Sequence, residues 1–467
     1  MPILILLYFF AFKGHINGQN FILLVASLLF YAWGEPIFVF AMLVLIIINW
    51  GFGYLCTILR KSNKNSENNS EKLITTALIL TLVANFSLLA VFKYADFIAI
   101  NASRILPFEV PVPQLTLPIG ISFFVFQAVS YSVDIYRGTV QPQRKLSLVA
   151  LYISLFPQLM AGPIIRYQTI EKQLTARTYN AADFTSGLKR FVIGLGKKVL
   201  IADIIAHAAE FAFSADPLAM SVSAAWLGAA AFGLQVYFDF SGYSDMAIGL
   251  GKMFGFHFLE NFNFPYISRS ISEFWRRWHI SLGDWFKDYI YFPLGGSRVK
   301  SKFRLVFNLF VVWAFTGLWH GAAWTFIFWG LFFFVFIAFE KLTGFGKFTE
   351  RIPVLGNIYM HVVVLIGWVL FRAQGFQHMI DYLLAMVGLN DNPLIGFDTF
   401  RISVEYSFVW IVGIIASIPI SQMLMKSRFA SKASFNVLHW VYVVIIFLVS
   451  LVVMYGGESA PFIYFAF

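Results

Sequence analysis

Charge is what this sequence has least of: only 12% of its 467 residues are Asp, Glu, Lys or Arg, about half the share of a soluble domain. With 59% hydrophobic residues, a soluble fold would expose large apolar patches. An ordinary soluble enzyme, a disordered chain and a fibrous repeat are thereby excluded, and the chain requires a lipid solvent. Cysteine is nearly absent. Cys56 stands alone, which excludes an intrachain disulfide and a cysteine-based metal site. The first apolar run, 2–12, has no positive segment before it and no clear small-residue cleavage site, so no cleavable signal peptide is expected. There is no GxxxxGK[ST], no HExxH and no GxSxG, which argues against a P-loop transporter, a zincin and a nucleophile-elbow hydrolase. No metal site is expected.

What charge there is leans basic, 34 Lys and Arg against 24 Asp and Glu, or +10. The positive residues are segregated into loops between apolar runs. That pattern points to membrane orientation and not to nucleic acid.

Apolar runs recur from end to end, at 2–12, 21–34, 36–58, 73–96, 116–135, 187–213, 221–237, 304–319, 322–340, 354–373, 404–425 and 437–457. Several are shorter than the roughly 20 residues of a perpendicular helix. About eleven true crossings are expected, the rest being re-entrant, tilted or buried behind other helices. Segment 166–200 holds seven Lys/Arg and 268–304 holds eight, whereas 97–115 and 374–403 hold one each. The positive-inside rule puts the first pair in the cytoplasm and the second outside. Parity works if 147–160 does not cross, and the C-terminus then lies outside. No domain boundary is visible. One membrane domain, 1–467, is expected, with its polar motifs at about 118–330.

Three clusters carry candidate chemistry. From Leu305 to Phe339 there is no charged residue, yet His320 lies inside that run. An ionisable group in an apolar region is a functional hypothesis by default, and imidazole moves protons near neutral pH. Gly317 and Gly321 flank it, either to admit a ligand or simply to pack helices. Trp319 and Trp324 would shape a lumen or pack. The second cluster runs from Glu273 to Tyr289. Read as one helix, it puts Phe274, Trp278 and Trp285 on one face, and Glu273 and Arg277 pair at i, i+4. It is an interfacial aromatic helix, or a place where Arg276, Arg277 and Lys287 receive an anionic donor near His279. The third, Tyr237 to Asp245, has Asp239 and Ser241 after an apolar span. Asp239 is expected buried and hydrogen-bonded, fixing a helix break. Pro157 to Tyr167 marks another broken element. His15, His207, His257, His361, His378 and His439 lack comparable context.

Four strings together carry a resemblance: Tyr237-Phe-Asp-Phe-Ser-Gly-Tyr-Ser-Asp-Met-Ala-Ile-Gly-Leu-Gly, Glu260-Asn-Phe-Asn-Phe-Pro-Tyr, Glu273-Phe-Trp-Arg-Arg-Trp-His-Ile-Ser-Leu and Gly317-Leu-Trp-His-Gly-Ala-Ala-Trp. The chain resembles the membrane-bound O-acyltransferase family, and within it the bacterial alginate O-acetyltransferase subgroup. Tyr31-Ala-Trp-Gly-Glu-Pro and Phe156-Pro-Gln-Leu-Met-Ala-Gly-Pro also fit, so the likeness runs along nearly the whole chain. The resemblance implies an all-α polytopic protein, a ring of about 11 transmembrane helices with re-entrant or interfacial helices around a central tunnel. It implies that His320 matches the family's essential histidine and His279 its second one. It also implies the bacterial inner membrane, a cytoplasmic donor such as acetyl-CoA, no permanently bound cofactor, and an exported SGNH-type partner that modifies alginate, peptidoglycan or a similar polysaccharide. Relatives usually have a longer start, so a short first helix or a different start site is expected.

A thioester attacked by an oxygen nucleophile needs a group to take the hydroxyl proton, and His320 suits that role. At the chain's end, Tyr464 within Ala460-Pro-Phe-Ile-Tyr-Phe-Ala-Phe467 is either an acyl relay or an interfacial aromatic anchor. Two alternatives compete with acetyl transfer. One is D-alanyl transfer to teichoic acid on the same fold, against which the Tyr243-Ser-Asp and Trp-Arg-Arg-Trp-His details weigh. The other is a polysaccharide or lipid transporter with broken helices.

Overall fold

The computed structural model describes residues 2–62, 67–160, 162–426, 433–457 and Phe462. Everything described is helix, turn or irregular; no strand occurs among these residues. Among the described residues, seven helices are long and apolar enough to cross a membrane. A bent pair, Phe397–Glu405 with Ser407–Ala416, turns by 62° and is either a broken span or a re-entrant loop. The protein is an integral, all-helical membrane protein.

The 187–213 run is continuously helical: Ala181–Gly196, a π turn Lys197–Ala202 and Asp203–Ser214. The 404–425 run breaks between Ala416 and Ile420. The Leu146–Ser154 helix has only 9 residues, about 13 Å of rise and far short of a bilayer core. Pro157 to Tyr167 is a broken element as expected: a four-residue helix, Phe156–Leu159, ends there, residues 162–166 are not helical, and the next helix is Tyr167–Thr175.

The chain divides into two compact units, residues 1–188 with 247–259, and residues 189–246 with 260–467. In the first, polar pairs tie apolar helices together. Asn49 donates to Asn85 Oδ1 at 3.0 Å, and Ser132 donates to Asn49 Oδ1 at 2.7 Å. All three are buried, where lipid offers no competing partner. Arg177 donates to the Tyr8 hydroxyl at 2.7 Å and to Asn20 Oδ1 at 2.5 Å, with its guanidinium over the ring of Phe256.

The second unit holds the candidate catalytic residues. The charge-free run is a helical hairpin, Lys302–His320 and Trp324–Thr343, whose arms cross at Gly317 and Gly330. A Cβ on Gly317 would sit 2.5 Å from the carbonyl oxygen of Phe326, and one on Gly330 would sit 2.5 Å from that of Trp313. Gly317 is therefore a packing residue. Gly321 is not on the same helix face: it is the C-cap, extended at φ −174°. A side chain there would collide with the ring of Phe326. At the far end of the second arm, buried Glu340 accepts the backbone N–H groups of Ile271 at 2.7 Å and Ser272 at 2.8 Å. A carboxylate thus caps helix Ile271–Arg277 at its positive end. The hairpin carries His320 and anchors the segment that leads to His279.

Gly330→Ala is expected to lower stability by about 1–3 kcal/mol, since overpacking at a backbone contact outweighs the gain in helix propensity. The check is the thermal unfolding midpoint of detergent-solubilised protein; an unchanged or higher midpoint contradicts this packing.

Candidate active site

His320 is the last residue of its helix, at the turn of the hairpin, and it is buried. Its ring meets three aromatics nearly edge-on: Trp319 at 5.0 Å between centroids, Trp329 at 4.8 Å and Phe371 at 5.3 Å. His279, also buried, packs edge-on against Phe240 at 4.6 Å and at a tilt against Trp319 at 5.9 Å. Trp319 is thus the ring shared by both histidines. The two histidines, 41 positions apart in the sequence, are two ring contacts apart in space.

The segment that carries His279 is not one helix. Ile271–Arg277 ends, and Ile280–Phe286 begins after a break. His279 lies in the break with φ 43° and ψ 53°, the left-handed region. A non-glycine residue there stores strain and persists only where its surroundings hold it. Asn261 does the holding: its carbonyl oxygen accepts the Ile280 N–H at 2.9 Å, and its side-chain Oδ1 accepts the Ser281 N–H at 3.2 Å. The sequence pattern hid this break because the local pairing it predicts is real: Arg277 donates to Glu273 at 2.9 Å.

Burial alone pushes the His279 imidazole down to about 3, so it is neutral throughout the physiological range.

Trp278 is buried in an aromatic cluster with Phe262, Phe274, Tyr237 and Trp368. Arg276 is exposed and pairs with Glu350 at 3.3 Å. Arg277 bonds Glu273 and the Asn263 carbonyl oxygen. Trp324 is half-exposed and lies beside Phe328. Asp239 does not fix a helix break, since helix Val222–Met253 runs straight through it. Its carboxylate instead faces Lys198 Nζ at 3.1 Å, and Lys198 also pairs with Asp203. Ser241 is buried in the same helix, next to Phe240. Tyr464 lies outside the described residues. Phe462, two positions before it, is buried against Tyr243 at 5.0 Å and against Phe240 at 5.8 Å. Phe240 is also the ring that packs on His279.

Asn261, Phe240, Trp329 and Phe371 also neighbour the histidines. Asn261 and Phe240 lie within the family's motif strings. Phe371 sits in an ordinary apolar helix, and nothing in its local pattern marks it.

A family model for the membrane-bound O-acyltransferases matches residues 114–384, more than half of the chain and both histidines. The chain belongs to this family and is an O-acyltransferase that uses an acyl donor substrate. Within the family it is 41% identical to a probable alginate O-acetylase of Azotobacter vinelandii, over 80% of this chain and 73% of that protein. It is 37% identical to a peptidoglycan O-acetyltransferase of Helicobacter pylori, over 79% and 73% of the two chains. A teichoic acid D-alanyltransferase of Bacillus subtilis is 28% identical, over 61% of this chain and 77% of that one.

His279 makes stability pH-dependent. Its folded-state value lies below the ordinary value of about 6.5 for an exposed histidine, so the unfolded chain binds the extra proton first as pH falls. Stability is fully present above about pH 6.5 and drains away toward pH 3, at up to roughly 1.4 kcal/mol per pH unit. A His279→Gln variant is expected to show a flatter decline of the unfolding midpoint between pH 7 and pH 4 than the parent. Parallel declines contradict a buried neutral His279.

Proposed function

We propose that this protein takes an acetyl group from acetyl-CoA on the cytoplasmic side of a bacterial inner membrane. The group then passes outward for O-acetylation of a polysaccharide such as alginate or peptidoglycan, through an exported SGNH-type partner. The observation that carries this reading is the pair His279 and His320 on either side of Trp319, in a unit that surrounds both with aromatic side chains. The subgroup is favoured by the identity to alginate and peptidoglycan enzymes, which exceeds that to the D-alanyltransferase.

His320 is the base in this reading. As a hydroxyl oxygen attacks the thioester carbonyl carbon, the His320 imidazole takes the hydroxyl proton. The tetrahedral intermediate collapses, the C–S bond breaks, and the imidazolium returns the proton to the leaving thiolate. Holding the reactants in a dry aromatic enclosure replaces solvent reorganisation with fixed geometry. His279 positions the donor or the nucleophile beside Trp319. Arg276, Arg277 and Lys287 are the proposed cations for the anionic donor; Arg276 and Lys287 are exposed. Tyr464 is the proposed relay: its phenol oxygen receives the acetyl group as an ester and yields it to the exported partner. The burial of Phe462 on Phe240 supports a C-terminal segment that reaches the histidine cluster. The C-terminus is on the outer face, and the chain works as one membrane domain.

The test uses purified protein in liposomes with radiolabelled acetyl-CoA, read as label transferred to a hydroxyl acceptor. His320→Ala is expected to lose roughly 10²–10⁴-fold in rate, the usual worth of a general acid–base group. Tyr464→Phe is expected to abolish transfer to the exported acceptor while leaving donor binding intact. Transfer by His320→Ala at the parental rate overturns the reading, and unchanged export in Tyr464→Phe removes the relay.

A further inference from the structure

Asn261 is a hub. Its Oδ1 receives the Ser281 backbone N–H at 3.2 Å and the Ser281 hydroxyl at 2.8 Å, and lies 3.1 Å from His279 Nδ1. Its Nδ2 donates to the Ser244 hydroxyl at 3.1 Å. All four residues are buried.

The orientation of the amide follows from a donor that cannot reverse. A backbone N–H only donates, so the atom facing Ser281 N is the oxygen, and an amide oxygen only accepts. His279 Nδ1, bonded to that same oxygen, must therefore bring the hydrogen. In a neutral imidazole the other nitrogen, Nε2, then carries the lone pair. The hub has a second grip: the carbonyl oxygen of Asn261 holds Ile280 N–H, next to the left-handed turn of His279. One residue sets both the tautomer of the ring and the backbone that aims it.

We propose that Asn261 is a positioning residue for acyl transfer, fixing His279 in its Nδ1–H tautomer so that Nε2 accepts hydrogen bonds from the reacting groups. This inference rests on the reading of His279 as part of the active site. Neither the spacing of the motifs nor the charge pattern points to Asn261; the geometry does.

Two variants separate positioning from packing. Asn261→Leu keeps the volume and removes the acceptor. Asn261→Asp keeps an acceptor for His279 and Ser281 but places a carboxylate beside the ring, which favours the imidazolium. In the liposome transfer assay, Asn261→Leu is expected to lose on the order of 10²-fold in kcat, within what a misassigned tautomer or a lost acid–base group costs. The donor KM is expected to stay within roughly 3-fold. Asn261→Asp is expected to recover most of the rate at alkaline pH and to move the acid limb of the rate profile upward by at least about one unit. The sign follows from the mechanism: protonating His279 removes the Nε2 lone pair, and the carboxylate makes that happen at higher pH. Thermal midpoints of both variants are measured alongside.

The proposal is overturned if Asn261→Leu transfers at the parental rate, or if the acid limb of Asn261→Asp coincides with the parent's. It is also overturned if the two variants lose rate only in step with their thermal midpoints. His279→Gln distinguishes the two levels of inference. If His279→Gln itself transfers normally, the reading of the active site has failed; if it is inactive while Asn261→Leu is not, only the role of Asn261 has failed.

Discussion

Trp319 is the contact on which the candidate site depends. It is the residue before His320 on one helix, and the ring against which His279 packs from a separate segment. Polar rings inside a membrane protein are costly unless the protein itself supplies their surroundings. Here the surroundings are aromatic edges and faces: Trp319, Trp329 and Phe371 around one histidine, and Phe240 and Trp319 around the other. The rest of the second unit holds that pairing in place. The Gly317–Gly330 crossing sets the hairpin, Glu340 caps the helix before His279, and Asn261 secures the turn at His279 itself.

Much of this was legible in the sequence, for definite reasons. His320 stands out because no Lys, Arg, Asp or Glu occurs between Leu305 and Phe339, and a membrane makes such a residue conspicuous. The motif strings identify the family because four of them occur together in one chain. The Glu273–Arg277 pair forms as its spacing predicts, since i, i+4 neighbours are fixed by helix geometry alone.

What the sequence concealed is mostly non-local. Asp239 looked like a helix breaker because acids are rare in apolar spans. It remains helical because Lys198, 41 residues earlier, supplies a counter-charge, and no local pattern announces a partner so distant. The break at His279 was hidden by helix-compatible residues on both sides. A left-handed histidine leaves no periodic trace, and the hydrogen bonds that Asn261 accepts from Ile280 and Ser281 hold it. Short buried helices blur the apolar pattern too: Leu146–Ser154 is apolar but has only 9 residues.

The central claim is that His279 and His320 act as one catalytic unit across Trp319. A double-mutant cycle in rate measures this directly, because residues that act together are non-additive whereas independent ones multiply. The rates of His279→Gln, His320→Ala and the double variant are compared in the same liposome assay with labelled acetyl-CoA. The account predicts that the double variant is no slower than the slower single one. Losses that multiply, with the double variant slower by the product of the two factors, would contradict it.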